Sequence, residues 1–215
     1  MTQNFQRRTD KEKHQSGDYY SGPDRYYDQV NENTVIKLYS GGYYASKTAG
    51  ELVVTILGSC IACCMYDPIN KVGGINHFLV PGLDSVHSNS SSARYGINAM
   101  ELMINDMVKV GGQKRHMVAK IFGGAKMIDI TSRIGEKNIS FVEDFLQNEG
   151  IAIVASDVGG SCPRRVHFEL KTGKVKIRKL RRIEDLKVVE KEKQYINEVK
   201  EKPKASEKND DIVLF

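Results

Sequence analysis

Between Val35 and Leu180 the apolar residues come in short runs, rich in Val and Ile and closed by glycine or turn residues. This punctuation constrains the fold more than any other feature. Such runs are too short for helices, and β-branched side chains suit a pleated, half-buried surface. The reading gives strands over residues 52–57, 61–66, 72–80, 117–122 and 151–155. A hairpin pairs 166–170 with 174–180 around Thr172-Gly173. Order is expected to begin at Val35-Ile36-Lys37-Leu38-Tyr39. Two segments carry helical spacing instead. In one, Ala93, Ile97, Met100, Ile104 and Met107 recur at three and four residues and Gly111-Gly112 follows. In the other, Ile139, Val142 and Phe145-Leu146 face one way between Asn138 and Gly150.

The flanks read differently. Residues 1–33 hold Tyr19, Tyr20, Tyr26 and Tyr27 but no Leu or Ile, so they are expected to form a disordered N-terminal extension. Residues 34–182 make one domain. Residues 183–215 read as a charged, partly helical tail that Pro203 interrupts. The tail ends Asp210-Asp211-Ile212-Val213-Leu214-Phe215, an ending that would suit a short docking peptide as well as a frayed terminus.

Charge and apolar length exclude several function classes. The net charge is +5, yet residues 171–215 carry fourteen Lys and Arg against nine Asp and Glu, and residues 1–170 carry eighteen of each. The body has no basic excess, so nucleic acid is not expected as a partner. The apolar runs are too short to cross a bilayer, so no membrane insertion is expected. The first residues are polar, unlike a secretory signal, and a cytoplasmic location is the expectation. Four cysteines at 60, 63, 64 and 162 lack the spacing of a disulfide framework.

Reactive residues concentrate in Thr55-Ile56-Leu57-Gly58-Ser59-Cys60-Ile61-Ala62-Cys63-Cys64, with Asn76-His77-Phe78 beyond the Asp67-Pro68 turn. A thiol needs a base to become a nucleophile near neutral pH, and a histidine supplies it. Cys60 follows a Gly58-Ser59 turn, where backbone N–H groups can hold an oxyanion. Spacing alone leaves other readings open. A cysteine in an apolar run is often a small core residue, which suits Cys63 and Cys64. Cys60 and Cys63 form a C-x-x-C that would need Cys162 and His77 to converge before it could hold zinc. Gly123-Gly124 and Gly159-Gly160 lack a phosphate-loop pattern and read as tight turns. Ser88 to Ser92 reads as a solvated loop or a rim to the site.

The string Leu57-Gly58-Ser59-Cys60-Ile61-Ala62, then Tyr66-Asp67-Pro68, then Gly73-Gly74-Ile75-Asn76-His77-Phe78-Leu79-Val80-Pro81, closely resembles the CheD family of chemoreceptor glutamine deamidases. The likeness continues through Arg94-Tyr95-Gly96, Ala119-Lys120-Ile121-Phe122-Gly123-Gly124-Ala125, Ile134-Gly135, Asn138, Asp157-Val158-Gly159-Gly160, Pro163-Arg164 and Thr172-Gly173. The resemblance implies an α/β fold of the layered α+β kind. Helices would pack on mixed or antiparallel sheets, as in the cysteine hydrolase domains of deamidating toxins. It implies a Cys–His–Thr triad in which Cys60 matches the nucleophile and His77 the base. Of two upstream places where the family carries hydroxyls, Val54 fills one and Thr55 the other, so Thr55 is the remaining third member. A one-residue slip in register would turn Thr55 to the opposite face. Backbone N–H groups of Ser59 and Cys60 would hold the oxyanion. The implied reaction converts protein glutamine to glutamate through a thioester, with no metal and no cofactor. The implied partners are the cytoplasmic helices of chemotaxis receptors. The alternative is an adaptor, or a dual-role protein, that binds a CheC-type chemotaxis phosphatase.

Overall fold

The computed structural model describes residues 24–80, 91–126 and 133–180, and of residues 91–95 the backbone alone. Sheet A has the order β1 (Asp24–Asp28), β2 (Asn33–Lys37), β4 (Glu51–Leu57), β9 (Arg164–Glu169) and β10 (Lys174–Lys179). Sheet B has the order β3 (Tyr43–Ser46), β6 (Val72–Phe78), β5 (Ile61–Asp67), β7 (Val118–Gly123) and β8 (Ala152–Val158). Each sheet is mixed: β2 and β4 run parallel, as do β7 and β8, and the remaining pairs are antiparallel. Helix α1 (Ser91–Lys109), helix α2 (Ile134–Asn148) and a single 3-10 turn at Lys114–His116 complete the described elements.

The layers follow from which faces are apolar. Strand β4 alternates strictly, with Val53, Thr55 and Leu57 buried and Leu52, Val54 and Ile56 half-exposed. One of its faces must therefore meet a core and the other must not. Its inner face joins Ile36, Val166 and Phe168 against Cys60, Ala62, Cys64 and Ile75 of sheet B, forming the core between the sheets. Strands β5 and β6 are buried throughout, because sheet B is covered on both sides. On its far side Ile61, Cys63 and Met65 pack with Met100, Met103 and Met107 of α1 and with Val142 and Leu146 of α2. The methionine stripe of α1 is core filling. Gly73 and Gly74 allow this close stacking. A Cβ at Gly73 would lie 2.4 Å from the Leu170 carbonyl oxygen, and one at Gly74 would lie 2.5 Å from Met107 Sδ.

The observed elements match the expected strands and helices to within a few residues, and they add three strands, one of them β2 in the segment where order is expected to begin. Order begins before Val35: Asp24–Asp28, placed by the sequence reading in a loose extension, forms β1 and pairs with β2. Its tyrosines Tyr26 and Tyr27 are exposed, so no apolar burial announces it. Polar contacts and the backbone ladder hold it: Tyr39 Oη donates to Asp24 at 2.8 Å, Arg25 contacts Tyr44 and Glu51, and Lys37 lies over the Tyr26 ring. Strand β3 is also additional, pairing its polar and aromatic text with β6. The residue 1–23 extension, the 183–215 tail and most of the Ser88 to Ser92 loop lie outside the described residues.

Candidate active site

Cys60 ends the Gly58-Ser59 turn immediately before β5, and His77 stands near the end of β6. The two strands are antiparallel neighbours with Ala62 opposite His77. Side chains alternate along a strand, so Cys60 shares the face of Ala62 and Cys64, the face turned to sheet A. His77 lies on the same face, diagonal to Cys60, and both open on one groove. Thr55 approaches from the opposite sheet. The register of β4 with β2 and β9 turns it inward, and its Oγ1 lies 2.8 Å from His77 Nδ1. All three are nearly enclosed: Cys60 is 0% exposed, Thr55 2% and His77 5%.

The proton positions follow from counting donors. Thr55 Oγ1 has one hydrogen and donates it to the Leu38 carbonyl oxygen at 2.8 Å. Towards His77 the same oxygen can only accept, so Nδ1 carries the imidazole proton and Nε2 keeps its lone pair. Burial pushes the His77 pKa down to about 4, which keeps the ring neutral near pH 7 and able to take a proton. Burial pushes Cys63 up to about 12 and holds Cys64 well above its usual range, so these thiols stay protonated.

The turn that carries Cys60 is held by three accepted hydrogen bonds. Ala125 N–H donates to Gly58 O at 2.7 Å, Asn138 Nδ2 donates to Ser59 O at 2.9 Å, and Gly124 N–H donates to Cys60 O at 2.8 Å. Across a trans peptide the C=O and N–H point in opposite directions, so anchored carbonyls fix the aim of the following amides. Asn138 is fully buried, and its Oδ1 accepts from Val80 N–H at 2.8 Å, linking the turn to the chain beyond His77. Gly123 must approach Cys60 closely: its φ is +110° and a Cβ there would lie 2.1 Å from the Cys60 carbonyl oxygen. Behind it Arg164, 2% exposed, donates to Asp157 at 2.7 Å and to the Gly159 carbonyl at 2.6 Å.

Sequence reasoning missed Ser40 and gave no role in the site to Leu38, Asn138 or Arg164, although Asn138 and Arg164 stand among the residues that carry the family resemblance. Ser40 Oγ lies 3.7 Å from Cys60 Sγ. Its loop is tied to β6 by Gly41 N–H donating to His77 O at 2.7 Å and His77 N–H donating to Gly42 O at 2.9 Å. The Ser40-Gly41-Gly42 cluster is the one local signal that marks a close approach. Asn76 points away from the site, with its amide against Cys63 N–H and the Met100 sulfur. The zinc arrangement does not assemble. Cys60 belongs to the core between the sheets and Cys63 to the core under the helices, and no group of three metal-ligating side chains gathers among the described residues. No helix among the described residues is long and apolar enough to cross a membrane.

Comparison with known proteins agrees with the sequence resemblance. Residues 80–179 match the family model described as CheD chemotactic sensory transduction. A Shewanella oneidensis protein named "Probable chemoreceptor glutamine deamidase CheD 1" is 40% identical over 197 residues, covering 90% of this chain and 93% of its own. A Chromobacterium violaceum protein named "Probable chemoreceptor glutamine deamidase CheD 2" is 43% identical over 161 residues, covering 74% of this chain and 80% of its own. Among solved structures, a hypothetical protein of Bacillus licheniformis, YfiH, is 12% identical at a TM-score of 0.36 over 55% of this chain and 49% of that one. That likeness is too slight to carry an argument.

Proposed function

The chain belongs to the CheD family, and from that premise we propose that it is a cysteine-dependent chemoreceptor glutamine deamidase, with Cys60, His77 and Thr55 as its working residues. The observation that carries the assignment of residues is the buried Thr55–His77 pair opening on the same groove as Cys60. His77 Nε2 takes the Cys60 proton, and the thiolate attacks the side-chain carboxamide carbon of a receptor glutamine. The N–H groups of Ser59 and Cys60 receive the oxyanion, preorganised by the anchored carbonyls of the turn. The C–N bond breaks as His77 returns the proton to the nitrogen, and ammonia leaves. Water then gives a proton to His77 and attacks the thioester, so that glutamate departs and the thiol is restored. Thr55 touches neither substrate nor sulfur. It holds the imidazole in the tautomer that presents Nε2.

The balance is glutamine plus water to glutamate plus ammonia, and each step uses side chains, backbone N–H groups and water. The product gains a negative charge on the receptor, which gives the reaction its signalling consequence. The proposed setting is the cytoplasm, where the receptor's signalling helices lie. A CheC-type phosphatase as a regulatory partner follows from the family likeness, and its addition would change the deamidation rate. The decisive experiment incubates the protein with a receptor cytoplasmic fragment and reads a +1 Da change at glutamine by peptide mass spectrometry.

A further inference from the structure

The outer face of sheet A is a feature that the chemistry leaves unused. A groove of about 990 Å³ runs along it and reaches Cys60 and His77 at one end. Its floor is the half-exposed apolar row Leu52, Val54 and Ile56 on the outer side of β4. Cross-strand register sets charge on both sides of this row. Lys37 of β2 lies beside Val54, with His167 of β9 on the other side and Lys176 of β10 beyond it. In the next row towards the site, Arg165 lies beside Ile56. Of the carboxylates that line the groove, Glu169 faces Lys174 and Asp28 caps its own turn, both towards the far end, while Asp24 of β1, outside the lining, stands opposite Lys37 and accepts from Tyr39 Oη. The stretch nearest the reactive pair is therefore apolar along its middle and cationic on the β9–β10 flank, with Lys37 as the cation of the β2 flank and Asp24 on its outer side. His167 reports the same field. Burial first, and then the positive charges of Arg165 and Lys176, hold its imidazole below the usual range.

The geometry points to this face as the docking surface for the substrate: an amphipathic helical segment that lays an apolar stripe on Leu52, Val54 and Ile56 and carries acidic side chains to Lys37, Arg165 and Lys176 as its glutamine enters the site. A helix suits the surface for a physical reason. The groove lies over the middle strands, whose backbone groups are already paired, so an extended peptide laid there would leave its own N–H and C=O groups without partners. A helix satisfies its backbone internally. Its body is about 10 Å across, and the floor from Leu52 to Ile56 is roughly 13 Å long at about 3.3 Å per residue, enough for two helical turns. The inference deepens the deamidase reading and rests on it: acidic flanks on the helix become a rule for which glutamines are chosen.

The test uses the full chain and two synthetic amphipathic helical peptides, each with one glutamine. One carries glutamates beside its apolar stripe and the other carries lysines in the same places. A short uncharged glutamine peptide, too small to span the groove, reports that every protein used is folded. Wild type is expected to favour the acidic peptide by about tenfold or more in kcat/KM at low ionic strength, with the preference shrinking in about 0.5 M salt. The exposed pair Lys37→Glu/Lys176→Glu should invert the preference towards the lysine peptide. An unchanged preference in the variant, with the receptor fragment and short peptide still deamidated, overturns the docking surface and leaves the deamidase reading standing. Failure of wild type to deamidate the receptor fragment, the helical peptides and the short peptide overturns the reading beneath it. A variant that turns over the short peptide faster than wild type would show that a segment of this chain occupies the groove. A dimer that the substitutions dissociate would show a second copy there. Either result also overturns the proposal.

Discussion

Replacing Thr55 with valine tests the buried hydroxyl with little change of shape. The hydroxyl donates to Leu38 O and accepts from His77 Nδ1–H, both at 2.8 Å, in a position only 2% exposed. Valine leaves that carbonyl and that ring N–H without partners. Each unsatisfied buried group costs about 1–3 kcal/mol, so folding stability should fall by about 2–4 kcal/mol. The catalytic effect is separate and smaller. The His77 tautomer that presents Nε2 loses one hydrogen bond worth about 1.4 kcal/mol, and kcat should fall about tenfold. KM should stay near its original value, because Thr55 does not reach the substrate. Thr55→Ser keeps the hydroxyl and gives up one buried methyl, so it should recover most of kcat at a stability cost of about 1 kcal/mol. Ammonia release at saturating receptor fragment measures kcat, and urea unfolding at the same pH measures stability. A Thr55→Val protein whose kcat stays within about twofold of wild type would refute the orienting role.

Further predictions come from the surroundings of the site. Gly123→Ala places a Cβ against the Cys60 carbonyl oxygen at a φ of +110°, and should cut turnover by at least about tenfold through displacement of the turn, measured at a temperature where circular dichroism shows a folded protein. Cys63→Ala removes a buried protonated thiol from the far core and should cost about 1 kcal/mol in urea while most deamidation survives. The pH dependence of stability should carry the mark of His77. Its folded pKa is about 4 against an ordinary 6.5, so between those values the unfolded chain binds the proton and the fold does not. This contribution is complete above about pH 6.5 and is lost as the pH falls towards 4, by roughly 3 kcal/mol. Urea midpoints at pH 7 and pH 4.5 should therefore separate more for wild type than for His77→Gln, and equal separations would contradict the assigned burial. Asp67→Asn should destabilise the fold by about 2–3 kcal/mol. The buried carboxylate accepts from the N–H groups of Ile69, Asn70 and Gln113 and from Asn70 Nδ2, and an asparagine amide would meet some of these donors with another donor.

The sequence made some of this legible and left the rest to tertiary structure, for identifiable reasons. Strands β4 to β10 and both helices announce themselves because apolar period and glycine punctuation agree there. Strand β1 does not, because its side chains face solvent and its stability comes from the β2 ladder and polar contacts. Strand β3 is four residues of mixed text that becomes a strand only against β6. Within the candidate site, Cys60 and His77 stand out by residue type and local setting. Thr55 is visible, but its direction depends on register, and the alternation of β4 against β2 and β9 turns it inward. Asn138 and Arg164 belong to the family-like strings, but their role is not legible, because they act on the Cys60 turn and the Gly123 segment behind it from α2 and β9, far along the chain. Nothing near them in sequence suggests a nucleophile. The basic row Lys37, His167 and Lys176 is likewise created by strand pairing, and net charge conceals it.

The central claim is that Cys60 attacks a receptor glutamine. Peptide mass spectrometry of a receptor cytoplasmic fragment, incubated in parallel with wild type and with Cys60→Ala, tests it most directly. The account predicts a +1 Da change at specific glutamines with wild type and none above the enzyme-free control with Cys60→Ala, while both proteins unfold at similar urea concentrations. Equal deamidation by the two proteins, or none by a folded wild type, would contradict it.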